Sequence, residues 1–84
     1  MGSAGRVKPE KLGKKLHSIR QAFGDSFSQM ADRLSDKKIK VLRTDVSRFE
    51  KGIREPSLII LLRYARLAHV NLETLADDEI ELDI

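Results

Sequence analysis

The sequence predicts an all-α domain of five short helices, and three observations carry that expectation. Apolar residues recur at three- and four-residue spacing in successive segments. Each segment is bounded by a capping residue, a glycine or a proline. Strict alternation, the mark of a half-buried strand, is confined to Ile80-Glu81-Leu82-Asp83-Ile84. At 84 residues the chain holds one domain. A domain of that size buries roughly 60% of the surface its unfolded chain exposes. The predicted organisation is a flexible arm or tag remnant over residues 1–8, a helical body over 9–76 and an acidic segment over 77–84.

Taken in order, Val7-Lys8-Pro9-Glu10 is an expected helix entrance, with proline early and an acid in the first turn. Leu12, Leu16, Ile19 and Phe23 then form one apolar stripe, and Gly24 ends the helix. Ser26 and Gln29 have the spacing of a capping box, predicting a short second helix with Met30, Ala31 and Leu34 inward. Residues 35–40 (Ser-Asp-Lys-Lys-Ile-Lys) lack a period and are expected to be a basic loop. Leu42, Val46 and Phe49 predict a third helix stopped by Gly52. After Arg54-Glu55-Pro56, Ser57 is the expected cap of an apolar fourth helix over Leu58–Ala68. Asn71 is the expected cap of a short fifth through Leu72 and Leu75.

The charge balance conceals an asymmetry. Sixteen Lys and Arg against 13 Asp and Glu give +3, but Asp77, Asp78, Glu79, Glu81 and Asp83 lie together with no base among them. Without them, 16 bases face eight acids, so residues 1–76 carry +8. That raises the expectation of a polyanionic partner. Other classes fall away. With no cysteine, and with His17 and His69 isolated, no metal site is expected. No cofactor or small-molecule ligand is evident, and no nucleophile–base pair or Gly-rich phosphate loop suggests an enzyme. No apolar run approaches the ~20 residues of a membrane helix, so a cytoplasmic location is expected.

On a helical wheel at 100° per residue, Leu42, Val46 and Phe49 fall within about 60° of one another. Arg43, Thr44, Ser47, Arg48 and Lys51 occupy an arc of about 140° on the opposite side. Guanidinium forks, hydroxyls and an ammonium match the donor and acceptor pattern of a DNA major groove. The plain alternative is a solvated helix face.

The ordered residues resemble the phage-repressor/Cro (XRE) family of helix-turn-helix proteins. The resemblance rests on Leu16-x-x-Ile19-Arg20, Met30-Ala31-x-x-Leu34, residues 46–52 (Val-Ser-Arg-Phe-Glu-Lys-Gly) and Arg54-Glu55-Pro56-Ser57-Leu58. It continues through Leu61-Leu62-Arg63-Tyr64-Ala65-Arg66 and Val70-Asn71-Leu72-Glu73-x-Leu75, covering about residues 12–76. The resemblance implies a lambda-repressor-like five-helix bundle that binds double-stranded DNA as a homodimer on an inverted repeat. It implies a bacterial, phage or plasmid-borne transcriptional repressor. Base edges would be met by Arg43, Thr44, Ser47 and Arg48, and Arg20 and Glu50 would form a structural ion pair.

Three departures qualify the resemblance. Phe27 stands where the family has a phosphate-binding Gln, so Ser28 or Gln29 would have to substitute. The connection after the second helix is about five residues longer than the usual turn of about four, and Lys37, Lys38 and Lys40 on it are candidate backbone contacts with Lys51. Asp45 puts an acid near the DNA-facing arc, where it can meet cytosine or pair with a base of the protein. Ile59 and Ile60 are candidates for a dimer or protein-partner patch, against the simpler reading of a wider core face. The alternating Ile80, Leu82 and Ile84 could add a strand to a partner. These features sustain a second reading, a protein-interaction module of the antitoxin or adaptor kind.

Overall fold

The structure, a computed structural model, describes residues 9–83; residues 1–8 and Ile84 lie outside the described part. Five helices follow in order: α1 (Leu12–Phe23), α2 (Phe27–Leu34), α3 (Arg43–Glu50), α4 (Leu58–Ala68) and α5 (Leu72–Ala76). No strand occurs among the described residues, so the Ile80–Asp83 alternation does not form one here. Among the described residues no helix is long and apolar enough to cross a membrane.

The helix ends show why the chain breaks where it does. Gly24 adopts the left-handed conformation (φ 69°) that closes α1, a geometry costly for a side chain with a Cβ. Ser26 and Gln29 make the reciprocal capping box of α2. Ser57 Oγ accepts the Ile60 N–H at the start of α4. Asn71 occupies the N-cap position of α5 without a side-chain bond, contrary to the expectation that its amide caps that helix. Likewise α1 starts at Leu12, two residues beyond Glu10, and has no acid in its own first turn.

The missing acid comes from the far end of the chain. Asp78 Oδ2 accepts the Glu10 N–H at 2.9 Å and Oδ1 accepts that of Lys11 at 3.0 Å. Beside it, Lys15 is buried, and its ammonium donates to the carbonyls of Thr74 (2.7 Å) and Asp77 (2.9 Å). Leu82 is half-buried and packs on the core. Asp77, Asp78 and Leu82 are therefore tied into the body, although the sequence predicted a body that ends at residue 76. Ile80 and Leu82 of the alternating segment are half-buried, and Ile84 is outside the described residues.

The N–H groups of Lys11 and then Glu10 hold the Asp78 carboxyl below the usual range, helped by the charges of Lys15 and Lys11. A depressed folded pKa contributes stability above the unfolded value, about 4, and loses it as pH falls through the lower folded value. An Asp78→Asn protein should therefore melt below wild type at neutral pH, with the gap closing as the pH drops below about 4. A gap independent of pH would contradict the ionised cap.

The core comprises Leu12, Leu16 and Ile19 of α1, Met30, Ala31 and Leu34 of α2, and Val46 and Phe49 of α3. Ile60, Leu61, Tyr64 and Ala65 of α4 complete it with Leu75 of α5 and Val41 of the α2–α3 connection. Two expected core assignments change, and the choice left open at Ile60 is decided. Phe23 is 36% exposed, with the Arg33 guanidinium stacked 4.3 Å from its ring centroid. Leu42 precedes α3 in extended conformation and is 51% exposed, so the inward stripe of α3 is Val46 and Phe49 alone. Ile60 is buried at 5%, which removes it from any partner surface.

Candidate nucleic-acid interface

The outer side of α3 is held by its inner side. Val46 is fully buried and Phe49 nearly so, which fixes the rotation of the helix about its axis. With those two inward, Arg43, Thr44, Arg48 and Lys51 are exposed and Ser47 is half-exposed. At 1.5 Å per residue, the eight-residue helix is about 12 Å long, close to the width of a B-DNA major groove.

The anchoring of α3 continues at its C-terminal end. Arg20 of α1 grips Glu50 bidentately, Nε to Oε2 at 2.7 Å and Nη2 to Oε1 at 3.0 Å. The side chains of Arg20 and Glu50 are only 14% and 6% exposed, so the pair works away from water. The hydrogen bond to Glu50 is the main reason that the Arg20 pKa is raised further, against the opposing effect of burial. Arg20 also donates to the Asp25 carbonyl and lies over Phe27, 4.2 Å from its centroid. Phe27 therefore supports Arg20. His17 Nδ1 lies 2.8 Å from Glu50 Oε1, adding a third group to a pair that the sequence suggested would have two.

Tyr64 lies fully buried near this cluster, and its hydroxyl has no hydrogen-bond partner among the described residues. Burial foremost, with the negative charge of Glu50, pushes its pKa up beyond the ordinary range, so it stays a neutral phenol.

Asp45, the acid near the polar arc, is occupied. Its Oδ2 accepts the Leu42 N–H, capping α3, and its Oδ1 takes the Arg54 guanidinium at 2.9 Å. A carboxylate that would repel phosphates is thereby part-neutralised within the protein. Arg20, Arg33, Arg54 and Arg63 are each held on a carboxylate. Arg43 and Arg48 have no ion pair among the described residues, nor do Lys37, Lys38, Lys40 and Lys51; Arg66 on α4 is also unpaired.

The candidate contacts outside α3 divide into two groups. Ser28 of α2, Lys40 of the connection and Arg43 and Thr44 of α3 line one open groove with Leu42 and Asp32. Gln29 does not line it, and its carbonyl oxygen is committed to the Ser26 N–H. Of Ser28 and Gln29, Ser28 is the one brought to the groove. Lys37 and Lys38 are exposed at the tip of the connection, and Lys51 is exposed just after α3.

Several supporting residues escaped the sequence reading. Gly13 lets α1 pass so close to α3 that an added Cβ would sit 2.5 Å from the Glu50 carbonyl oxygen. A glycine inside an otherwise helical stripe was the available signal. Lys15 and His17 gave no local signal, because both partners lie more than 30 residues away. Among the described residues no group of His, Cys, Asp and Glu could hold a metal ion. No protein-family model matches the chain, and neither the curated proteins nor the solved structures compared with it give a match.

Proposed function

We propose that this chain is a sequence-specific double-stranded DNA-binding transcriptional regulator, a repressor that acts by occupying its site. One observation carries the reading. The outer face of α3 offers Arg43, Thr44, Ser47, Arg48 and Lys51, its cations without an ion pair among the described residues, on a helix oriented by Val46, Phe49 and the Arg20–Glu50 pair. Unpaired guanidinium groups on a rigid helix favour recognition over a structural role, since the protein's other arginines on α1, α2 and the α3–α4 connection are satisfied internally. Arg43 and Arg48 would read guanine edges, Thr44 and Ser47 would meet either kind of edge group, and Lys51 would hold phosphate.

One module of this size has limited specificity, so the functional unit is proposed to be a two-fold dimer on an inverted repeat. Ile53 (69% exposed), Leu58 (62%) and Ile59 (51%) supply apolar surface around the α3–α4 connection for that contact. The same residues favour a second reading, in which the chain binds another protein in the manner of an antitoxin or adaptor.

Selection from random duplexes with the purified protein tests the first reading and separates it from the second. Enrichment of an inverted repeat is expected; no enrichment would leave the protein-binding reading. On the selected site, Arg48→Ala should cost about 1–3 kcal/mol and relax the preference at one base pair. An equal loss on unselected DNA would reduce Arg48 to a phosphate contact.

A further inference from the structure

The long α2–α3 connection is a built structure. Asp36 Oδ1 accepts two backbone N–H groups, from Lys38 at 2.8 Å and Ile39 at 2.7 Å, while the Asp36 N–H donates to the Ile39 carbonyl at 2.8 Å. Ser35 Oγ donates to the Ala31 carbonyl and accepts the Val41 N–H at 2.8 Å, drawing the two ends of the loop together. Arg63 reaches across from α4. Its Nη1 donates to the Leu34 carbonyl at 2.6 Å and its Nη2 to Asp36 Oδ2 at 2.6 Å. Both carboxylate oxygens and the N–H of Asp36 are thus spent on folding the loop, and a strut from another helix fixes the loop's position.

The side chains left over are the lysines. Lys37, Lys38 and Lys40 are exposed and have no ion pair among the described residues, and Lys40 borders the groove that also holds Ser28, Asp32, Arg43 and Thr44. Ile39 and Val41 alternate with them and turn toward the core, so the loop cannot collapse its charged side inward. Three ammonium groups within four residues, on a pinned backbone next to α3, form a local concentration of positive charge; Asp32, the carboxylate that shares the groove with Lys40, forms no ion pair with any of them among the described residues. Asp36, the nearest acid in sequence, is already engaged by Arg63.

We propose that Asp36 and Arg63 are positioning residues that hold the Lys37–Lys40 loop as a preformed clamp for the phosphodiester backbone flanking the groove that α3 enters. The proposal rests on the DNA-binding reading above and deepens it. Base readout belongs to α3, whereas the loop supplies a sequence-independent grip. Preordering matters because a lysine on a slack loop loses conformational entropy on meeting a phosphate, and a lysine on a fixed loop has less to lose.

The sign of one substitution makes the test decisive. Asp36→Ala removes a negative charge beside a polyanion, so simple charge counting predicts tighter binding. If Asp36 acts through loop geometry, the variant binds more weakly. The experiment titrates a random-sequence 30-base-pair duplex with the full chain and with Asp36→Ala, Arg63→Gln and Lys37→Ala/Lys38→Ala, from 50 to 300 mM KCl. Circular dichroism melts establish that each variant is folded at the assay temperature.

The lysine pair should reduce the slope of log affinity against log salt by about 1.8, two phosphates at 0.9 each. Asp36→Ala should weaken binding about threefold to tenfold at 100 mM salt and lower the slope by about 1. Arg63→Gln should follow it in direction. Unchanged or tighter binding by a folded Asp36→Ala protein overturns the proposal while leaving DNA binding intact. Should a variant fail to fold, the lysine pair decides, since its exposed side chains hold nothing together; an unchanged slope there also overturns the clamp. Absence of salt-dependent binding by the wild-type chain would instead remove the DNA-binding reading itself.

Discussion

A Glu50→Ala protein is expected to lose about 3–5 kcal/mol of folding stability, the cost of leaving a buried guanidinium without its counter-ion. Glu50 is the meeting point of Arg20, through two hydrogen bonds, and His17, through one. Stabilities of about 0.05–0.15 kcal/mol per residue give an 84-residue domain only about 4–13 kcal/mol in all. A loss of that order would therefore leave the chain partly unfolded at room temperature or bring its melting point down by about 15 °C or more. Urea titration followed by circular dichroism measures the loss. The double variant Arg20→Ala/Glu50→Ala should be less destabilised than the sum of the singles, because it leaves no orphaned charge. A loss below about 1 kcal/mol for Glu50→Ala would mean that the pair behaves as a solvent-exposed one.

Gly13→Ala is the second large effect. A methyl group there would stand 2.5 Å from the Glu50 carbonyl oxygen, 3.2 Å from its carbonyl carbon and 3.3 Å from the Phe49 carbonyl oxygen. All three are backbone atoms of α3, so no side chain can swing aside and one helix must move. Overpacking of this kind costs about 1–3 kcal/mol, enough to outweigh the better helix propensity of alanine. The displacement would fall on the helix that carries Arg43 and Arg48. DNA affinity should drop along with stability, whereas Gly24→Ala, with open space around the added carbon, should affect stability alone. Normal stability for Gly13→Ala would show that α1 and α3 can separate at little cost.

These two residues mark how much was legible in the sequence. Local rules were enough for the helix count, the Ser26 capping box, the left-handed Gly24 and the extent of α4, because each depends on residues within one turn of one another. The polar arc of α3 was legible for the same reason. Burial near helix ends was not. Leu42 fits the stripe by angle, but it precedes the first helical residue and its extended backbone turns it outward. Ile59 and Ile60 are neighbours in sequence, and only the packing of α4 separates an exposed side chain (51%) from a buried one (5%). The groups that lock the site in place come from distant parts of the chain: Gly13 against Glu50, Arg63 against Asp36, Asp78 against the start of α1. Spacing rules within a helix do not reach across 27 to 68 residues.

The Asp78 cap has a consequence for the order in which the protein can be made. The first helix is completed by a carboxylate 67 and 68 residues further on, so α1 lacks its cap until the ribosome has released residue 78. Until then the N–H groups of Glu10 and Lys11, just ahead of α1, find only water, and the Lys15 ammonium lacks its two carbonyls. Folding should therefore be a late, concerted event and not a helix-by-helix accretion from the N-terminus. Ribosome-stalled chains ending before Asp77 should remain protease-sensitive throughout, the nascent α1 included.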